Sequence, residues 1–401
     1  MSVRRAPSGC RCRWISSVSG QRPRCASTLR WFALALLTWL ALMPARAMAE
    51  TVTVTDVAGR QVSVTVPVRR VILGEGRQIH VTAALDRENA FGRIVGWGED
   101  FEKSDPDTYA AYVARFPQAA ALPRFGSPSR GSFDIEKAIS LWPDLVVLGA
   151  EMQRPAEEIR LVERLAELGI PVVYVDFRQA PSRNTKPSLR LLGQLFGKSE
   201  IAEALIAFRA AEVARVTERL AAAGPLARPL VMLDRIPGYS DECCLSFGNE
   251  NFGAIVAAAG GINLGSELLA GTFGTINPET IIVRDPDVVI VTGGNWEALA
   301  PNGAWVGLGP GADLRKAQEK LAALAARPAF RATKAVRAGR VHAIWHQFYT
   351  SPYQFVALQR IARWLHPELF ADLDPDDTLR RLHEQFLPIT YRSGYWIDLQ
   401  R

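Results

Sequence analysis

Arginine supplies most of the chemistry this 401-residue chain can offer. Loops that follow short apolar runs carry Arg77 beside Glu75, Arg130 within 125–132, Arg178, and Arg235 within 234–239. In open α/β sheets such loops lie beyond the carboxyl ends of the strands, where ligands bind. A guanidinium is permanently charged and its planar fork matches oxygen anions, so these four residues suit an anionic ligand. Loops of the same kind hold residues 272–275, Asn295-Trp296 and 346–353. Tyr239, Trp296, Tyr349 and Tyr353 offer aromatic surface. His346 and Tyr349 offer imidazole and phenolate, both acceptable to iron.

Bond-breaking constellations are missing. Gly193-Gln-Leu-Phe-Gly197-Lys198-Ser199 is one residue short of a phosphate loop and follows a helical segment instead of a strand. Neither G-x-S-x-G nor H-E-x-x-H occurs. His342 and His346 are four apart, but on a strand that spacing is roughly 13 Å, too far for one zinc ion. With five histidines in all, a binding protein is expected and not an enzyme.

The elements that must position these residues alternate regularly. Residues 51–55 and 61–66 alternate apolar and polar types around a turn at 57–60, the pattern of a β-hairpin. Buried strands are then expected at 70–74, 94–96, 145–148, 172–175, 230–233, 288–291 and 341–344. Helices are expected at 155–168, 188–197, 250–260, 312–326 and 353–365. That alternation predicts an α/β protein with mostly parallel sheets covered on both faces.

One phrase occurs twice. Phe133-Asp134-Ile135-Glu136 leads to Pro143-Asp144 and four aliphatic residues; Ile276-Asn277-Pro278-Glu279 leads to Pro286-Asp287 and four more. Asp134 and Asn277 can cap a helix, Glu136 and Glu279 fall in its first turn, and Pro stops it before the next strand. The equal spacing predicts two lobes of similar build. Between the copies, residues 199–223 contain neither Gly nor Pro. They predict one helix of roughly 37 Å, with Ile201, Leu205, Phe208, Val213, Val216 and Leu220 on a single buried face. The expected organisation is a leader at 1–49, an N-terminal lobe at 50–198, the helix at 199–223 and a C-terminal lobe at 224–401, with a ligand cleft between the lobes.

Charge is distributed unevenly. The chain has 47 Lys and Arg against 41 Asp and Glu, a net of +6. Residues 1–49 hold eight arginines and no acid, so the remainder carries 39 basic against 41 acidic residues. The basic excess therefore gives no support to a nucleic-acid partner. Those 49 residues read as a signal peptide: a basic stretch, an apolar run at 31–43 and a small-residue site ending Ala47-Met48-Ala49. Cleavage after about Ala49 would export the rest. Cys243-Cys244 would then be the remaining cysteines. In an oxidising compartment they would either close as a vicinal disulfide or stay reduced and buried, near the cleft mouth.

The ordered motifs resemble the class III periplasmic substrate-binding proteins of ABC importers for ferric siderophores, cobalamin and haem. The likeness lies in Thr55-Asp56-Val-Ala-Gly59-Arg60, Arg70-Val71-Ile72-Leu73, both Glu…Pro-Asp phrases, Leu168-Gly169-Ile170-Pro171, Ala259-Gly260-Gly261-Ile262-Asn263, Ala335-Val336-Arg337-Ala338-Gly339-Arg340 and His366-Pro367-Glu368. It runs over nearly all of residues 51–388. The resemblance implies two Rossmann-like lobes bridged by one helix, acting as a monomer in the periplasm with no intrinsic cofactor. It implies a small-molecule metal chelate as cargo, foremost an Fe(III) chelate of the siderophore type, with haem or cobalamin as alternatives. A periplasmic metal-chelate enzyme is the alternative of a different class. It also implies docking onto a permease dimer with its ATPase subunits, through an acid on each lobe; by position these are Glu136 and Glu279. His346 and Tyr349 would complete an unsaturated iron shell, and Arg77, Arg130, Arg178, Arg235, Tyr239 and Trp296 would hold the chelate.

Overall fold

The computed structural model describes residues 50–240 and 243–400, so the expected leader and its cleavage site lie outside the described residues. Strands β1 (Glu50–Thr55) and β2 (Gln61–Val66) pair as the expected antiparallel hairpin. Asp56 closes its turn. One carboxylate oxygen accepts the Ala58 and Arg60 N–H groups at 3.0 Å, and the other accepts from the Arg60 guanidinium at 2.7 Å. Arg60 also donates to the Val172 carbonyl at 2.7 Å, which fastens the hairpin to the first sheet.

That sheet contains β3 (Val71–Leu73), β4 (Ile94–Gly98), β5 (Arg124–Phe125), β6 (Leu145–Gly149) and β7 (Val172–Val175) in the order β5-β4-β3-β6-β7, all parallel. Every residue of β3, β6 and β7 is buried, which is why these strands read as unbroken apolar runs. The second sheet contains β8 (Leu230–Asp234), β10 (Ile262–Asn263), β12 (Val288–Gly293), β13 (Val341–Trp345) and β14 (Trp396–Asp398) in the order β10-β8-β12-β13-β14. Only β14 runs antiparallel to its neighbour. Strands β9 (Leu245–Phe247) and β11 (Phe273–Thr275) pair apart from it.

The repeated phrase occupies the same place in each lobe. Asp134 and Asn277 cap short helices, Ile135–Ser140 and Pro278–Arg284, by accepting the N–H of Lys137 and Glu279. Each helix gives way to a residue of positive φ before the proline, Trp142 at 47° and Asp285 at 45°. The aspartate after the proline then caps the neighbouring central strand. Asp144 accepts from Arg69 N at 2.7 Å and Arg70 N at 2.9 Å, and Asp287 accepts from Leu230 N at 2.9 Å. The Pro-Asp pair thus sets the register at which each lobe begins.

A single helix, Ser199–Ala222, bridges the lobes. Its buried face departs from the expected one: Ile201 is 37% exposed, while Ala202, Leu205, Ile206, Val216 and the charged Glu212 are buried. Glu212 is tolerated because Arg381 donates to it at 2.7 Å and Gln359 at 2.7 Å, with Arg215 at 2.9 Å. A second correction concerns 155–168. The expected helix is two, Gln153–Glu158 and Leu161–Ala166, broken where Arg160 adopts a φ of 53°. No helix among the described residues is long and apolar enough to cross a membrane.

Candidate ligand-binding cleft

Loops from both sheets converge on one cavity of about 550 Å³, within the range of small-molecule sites. On the N-terminal side, the loops after β3, β4, β6 and β7 bring Glu75 and Arg77, Asp100, Glu151, and Arg178. On the C-terminal side, the loops after β8, β12 and β13 bring Arg235 and Tyr239, Trp296, and His346 with Tyr349. All eight residues nominated as ligand contacts line this cavity, Arg130 from its exposed rim. Asn295 and Tyr353 do not. Asn295 donates to Asp107 at 3.1 Å, and Tyr353, fully in the core, donates its hydroxyl proton to the His80 carbonyl at 2.7 Å.

Close backbone approach positions the N-terminal wall. A Cβ on Gly76 would stand 2.4 Å from the Gly98 carbonyl oxygen, so only glycine lets the loops after β3 and β4 meet. That contact delivers Arg77 to Asp100, with Nε donating at 2.8 Å. Arg77 Nη2 donates to Glu75 at 2.8 Å and Nη1 to the Tyr349 hydroxyl at 3.1 Å. Arg178 Nη1 lies 3.7 Å from Glu75 Oε1 and 3.9 Å from Glu151 Oε1.

The electrostatics follow from burial competing with these arginines. Burial alone would raise the Glu75 carboxyl, but Arg77 and Arg178 together outweigh it and hold the group below its ordinary value. Glu151 has weaker support. Burial, reinforced by the neighbouring Glu75 charge, pushes it up to about 8. Burial would also raise the Tyr349 phenol, yet Arg178, Arg77 and Arg235 bring it below its ordinary value.

The C-terminal wall is aromatic. Arg235 lies over the Phe273 ring at 4.6 Å and the Phe247 ring at 5.7 Å. Tyr239 meets Trp296 edge-on at 5.8 Å, and His346 packs on Tyr349 at 4.3 Å. The His346 Nδ1 is 3.0 Å from Thr292 Oγ1, which already accepts from the Ile236 N–H. That hydroxyl keeps both its own hydrogen and a second lone pair, so it can donate to Nδ1 or accept from it. Among the described residues no group of three His, Cys, Asp or Glu side chains could hold a metal ion.

Glu151 and Asp100 were missed in the sequence. Glu151 stands two residues past the end of β6 as Glu75 does past β3, so the strand-end rule applied to β6 would have found it. Cys243 and Cys244 are joined as a vicinal disulfide. Cys243 faces a second hollow lined by Tyr239, Pro278, Asn302 and Arg327 instead of the cleft cavity. Glu136 and Glu279 are both exposed, in the first turns of their helices. Arg164 donates to Glu136.

Two α/β lobes on one long helix, with strand-end loops of both meeting at a polar cavity, define a two-lobed solute-binding protein. The chain belongs to the periplasmic binding protein family, whose model matches residues 102–346. This is a family of substrate-binding proteins of ABC transporters that work in the periplasm. The TroA-like periplasmic binding protein FepB from Veillonella parvula is 25% identical with a TM-score of 0.79, over 87% of this chain and 100% of that one. Haemophilus influenzae MolA, solved with molybdate, is 16% identical with a TM-score of 0.65, over 85% and 99%. A periplasmic haem-binding protein from Pseudomonas aeruginosa is 19% identical with a TM-score of 0.51, over 75% and 94%. No curated protein matches the chain.

Proposed function

We propose that the protein captures a metal chelate of the ferric-siderophore type and presents it, chemically unchanged, to an ABC permease dimer. The observation that carries this reading is the set of arginines in one aromatic-walled cavity: Arg235 has no acidic partner among the described residues, and Arg178 is only loosely paired. Iron chelates with catecholate or carboxylate donors present oxygen-rich anionic edges, which guanidinium groups bind well. Tyr239, Trp296 and Phe273 supply flat surface for the chelator's body. The working units are the lobes at 50–198 and 224–401 with the helix at 199–223 between them, exported by removal of residues 1–49. No resident cofactor is needed.

Docking is assigned to Glu136 and Glu279. Each lies exposed in the first turn of the equivalent helix in its lobe, just after the capping Asp134 or Asn277. One exposed acid per lobe, at equivalent places in the repeated phrase, suits a permease with paired basic pockets; such charges set register and encounter rate more than affinity. Titrating the mature protein with ferric siderophores, haem and cobalamin while following tryptophan emission tests the cargo assignment. Saturable quenching at one ligand per chain by a ferric siderophore is expected. Saturation only by haem or cobalamin would move the assignment to that cargo, and turnover of the chelate would make the protein an enzyme.

A further inference from the structure

Two carboxyl groups of the cleft wall stand close together, and their charge bears on the cargo, granted the chelate-binding reading above. Strands β3 and β6 are parallel neighbours, with Leu73 beside Val147. Glu75 and Glu151 each lie two residues past the end of one of these strands, so the pairing brings both to the same part of the cavity wall. Gly149 lets the Glu151 carboxyl fold back over its own strand end, since a Cβ there would stand 2.4 Å from Oε1. The two acids are unequally supported. Glu75 has Arg77 at 2.8 Å and Arg178 at 3.7 Å. Glu151 has only the same Arg178 nitrogen, at 3.9 Å, and its Oε1 is buried with no hydrogen-bond partner. Two confined carboxyl groups that share one arginine nitrogen do not both ionise readily, and the proton stays on the one with the poorer partner. Burial and the Glu75 charge accordingly push Glu151 up to about 8, and the proton it keeps is hydrogen-bonded to Glu75.

That proton sets what an anionic cargo meets. The other acids of the cavity are balanced, Asp100 by Arg77 at 2.8 Å and Glu99 by Lys103 at 3.2 Å. Arg130 and Arg235 line it without an ion pair among the described residues. With Glu151 neutral, positive charge is in excess and Arg178 is tied only loosely to Glu75. Ionised Glu151 would draw Arg178 to itself and add a negative charge where water is scarce and like charges repel most strongly. Across the cavity, His346 stays neutral, because burial and the three arginines Arg235, Arg77 and Arg178 hold it well below its ordinary value. Tyr349 is brought below its ordinary value by the same arginines, so it is the other group there that gains negative charge as pH rises. We propose that Glu151 is a specificity determinant for anionic cargo that acts in its protonated form, sharing one proton with Glu75 and so leaving Arg178 and Arg235 to the ligand.

Affinity measured against pH with two ferric probes tests this: a trianionic hexadentate tris-catecholate and a neutral tris-hydroxamate, neither of which changes charge over the range used. Wild-type protein should bind the trianion about tenfold more weakly at pH 9 than at pH 6.5, while any affinity for the neutral probe stays level. Glu151→Gln keeps a neutral side chain at every pH and should hold the trianion with level affinity across the range. A second measurement needs no variant. Calorimetry of the trianion at pH 8.5 in two buffers of different ionisation heat should show uptake of part of a proton on binding. Wild-type affinity for the trianion that does not change with pH, or binding without proton uptake, would overturn the proposal. So would a slope that survives in folded Glu151→Gln, which would assign it to Tyr349. If folded wild-type protein bound neither probe at any pH, the chelate reading would fall and this one with it.

Discussion

Arg77 and Tyr349 join the two lobes at the floor of the cleft: Nη1 of one donates to the hydroxyl of the other at 3.1 Å. Arg178 lies 5.4 Å from the same ring centre. The phenol is enclosed, which disfavours its anion, but the three arginines around it favour the anion more. Absorbance titration near 295 nm should therefore show one tyrosine ionising below the ordinary value of 10. Tyr349→Phe should remove that early step. An unchanged titration in the variant would break the link between these two residues.

Asn251 ties the same region together from behind. Its Nδ2 donates to the Arg178 carbonyl at 2.6 Å and the Tyr349 carbonyl at 3.0 Å, one from each lobe. Its backbone has φ 57° and ψ −124°, a conformation that favours glycine. Asn251→Ala loses both hydrogen bonds and keeps a Cβ in that conformation, and should cost about 2–4 kcal/mol. Asn251→Gly loses the bonds without the steric conflict and should cost less, by about 1 kcal/mol. Urea unfolding of the two variants checks the order.

Stability should depend on pH through Glu151. Its carboxyl titrates near 8 in the folded protein against 4.5 as its unperturbed value. The folded state thus holds a proton that the unfolded state has released between those values. The stabilisation from this proton is complete below the lower value and is lost as pH rises to the upper one. Glu151→Gln removes the slope, so its stability relative to wild type should grow by about 2–3 kcal/mol between pH 6 and pH 8.5. A constant difference across that range would mean Glu151 is not the proton holder.

Reversal of charge at Glu136 and Glu279 together should abolish uptake of the cargo in cells while leaving its affinity for the purified protein unchanged. Both side chains are exposed and neither lines the cavity, so binding gives the control. Uptake at the wild-type rate would refute the docking assignment.

Much of this architecture was legible because its signals are local. The strands β6, β7 and β12 are buried on both faces and so are continuous apolar runs. The helix Ser199–Ala222 shows itself by lacking Gly and Pro. What was illegible depends on partners far away in sequence. Glu212 reads as a solvent-facing residue until Gln359 and Arg381 come to it from the C-terminal helices. The positive φ at Arg160 leaves no mark in a stretch whose composition is helical throughout. In the cleft, the arginines could be named from strand ends, but which of them is free could not. Arg77 and Arg235 look alike in sequence. Only the packing of Asp100, Glu75 and Tyr349 around one, and of Phe273 against the other, separates them.

The most direct test of the central claim is native mass spectrometry of residues 50–401 incubated with a panel of ferric siderophores, haem and cobalamin. The account predicts a complex of one protein with one intact ferric siderophore, released unaltered on denaturation. Absence of any metal-chelate complex, or recovery of a cleaved or reduced chelate, would contradict it.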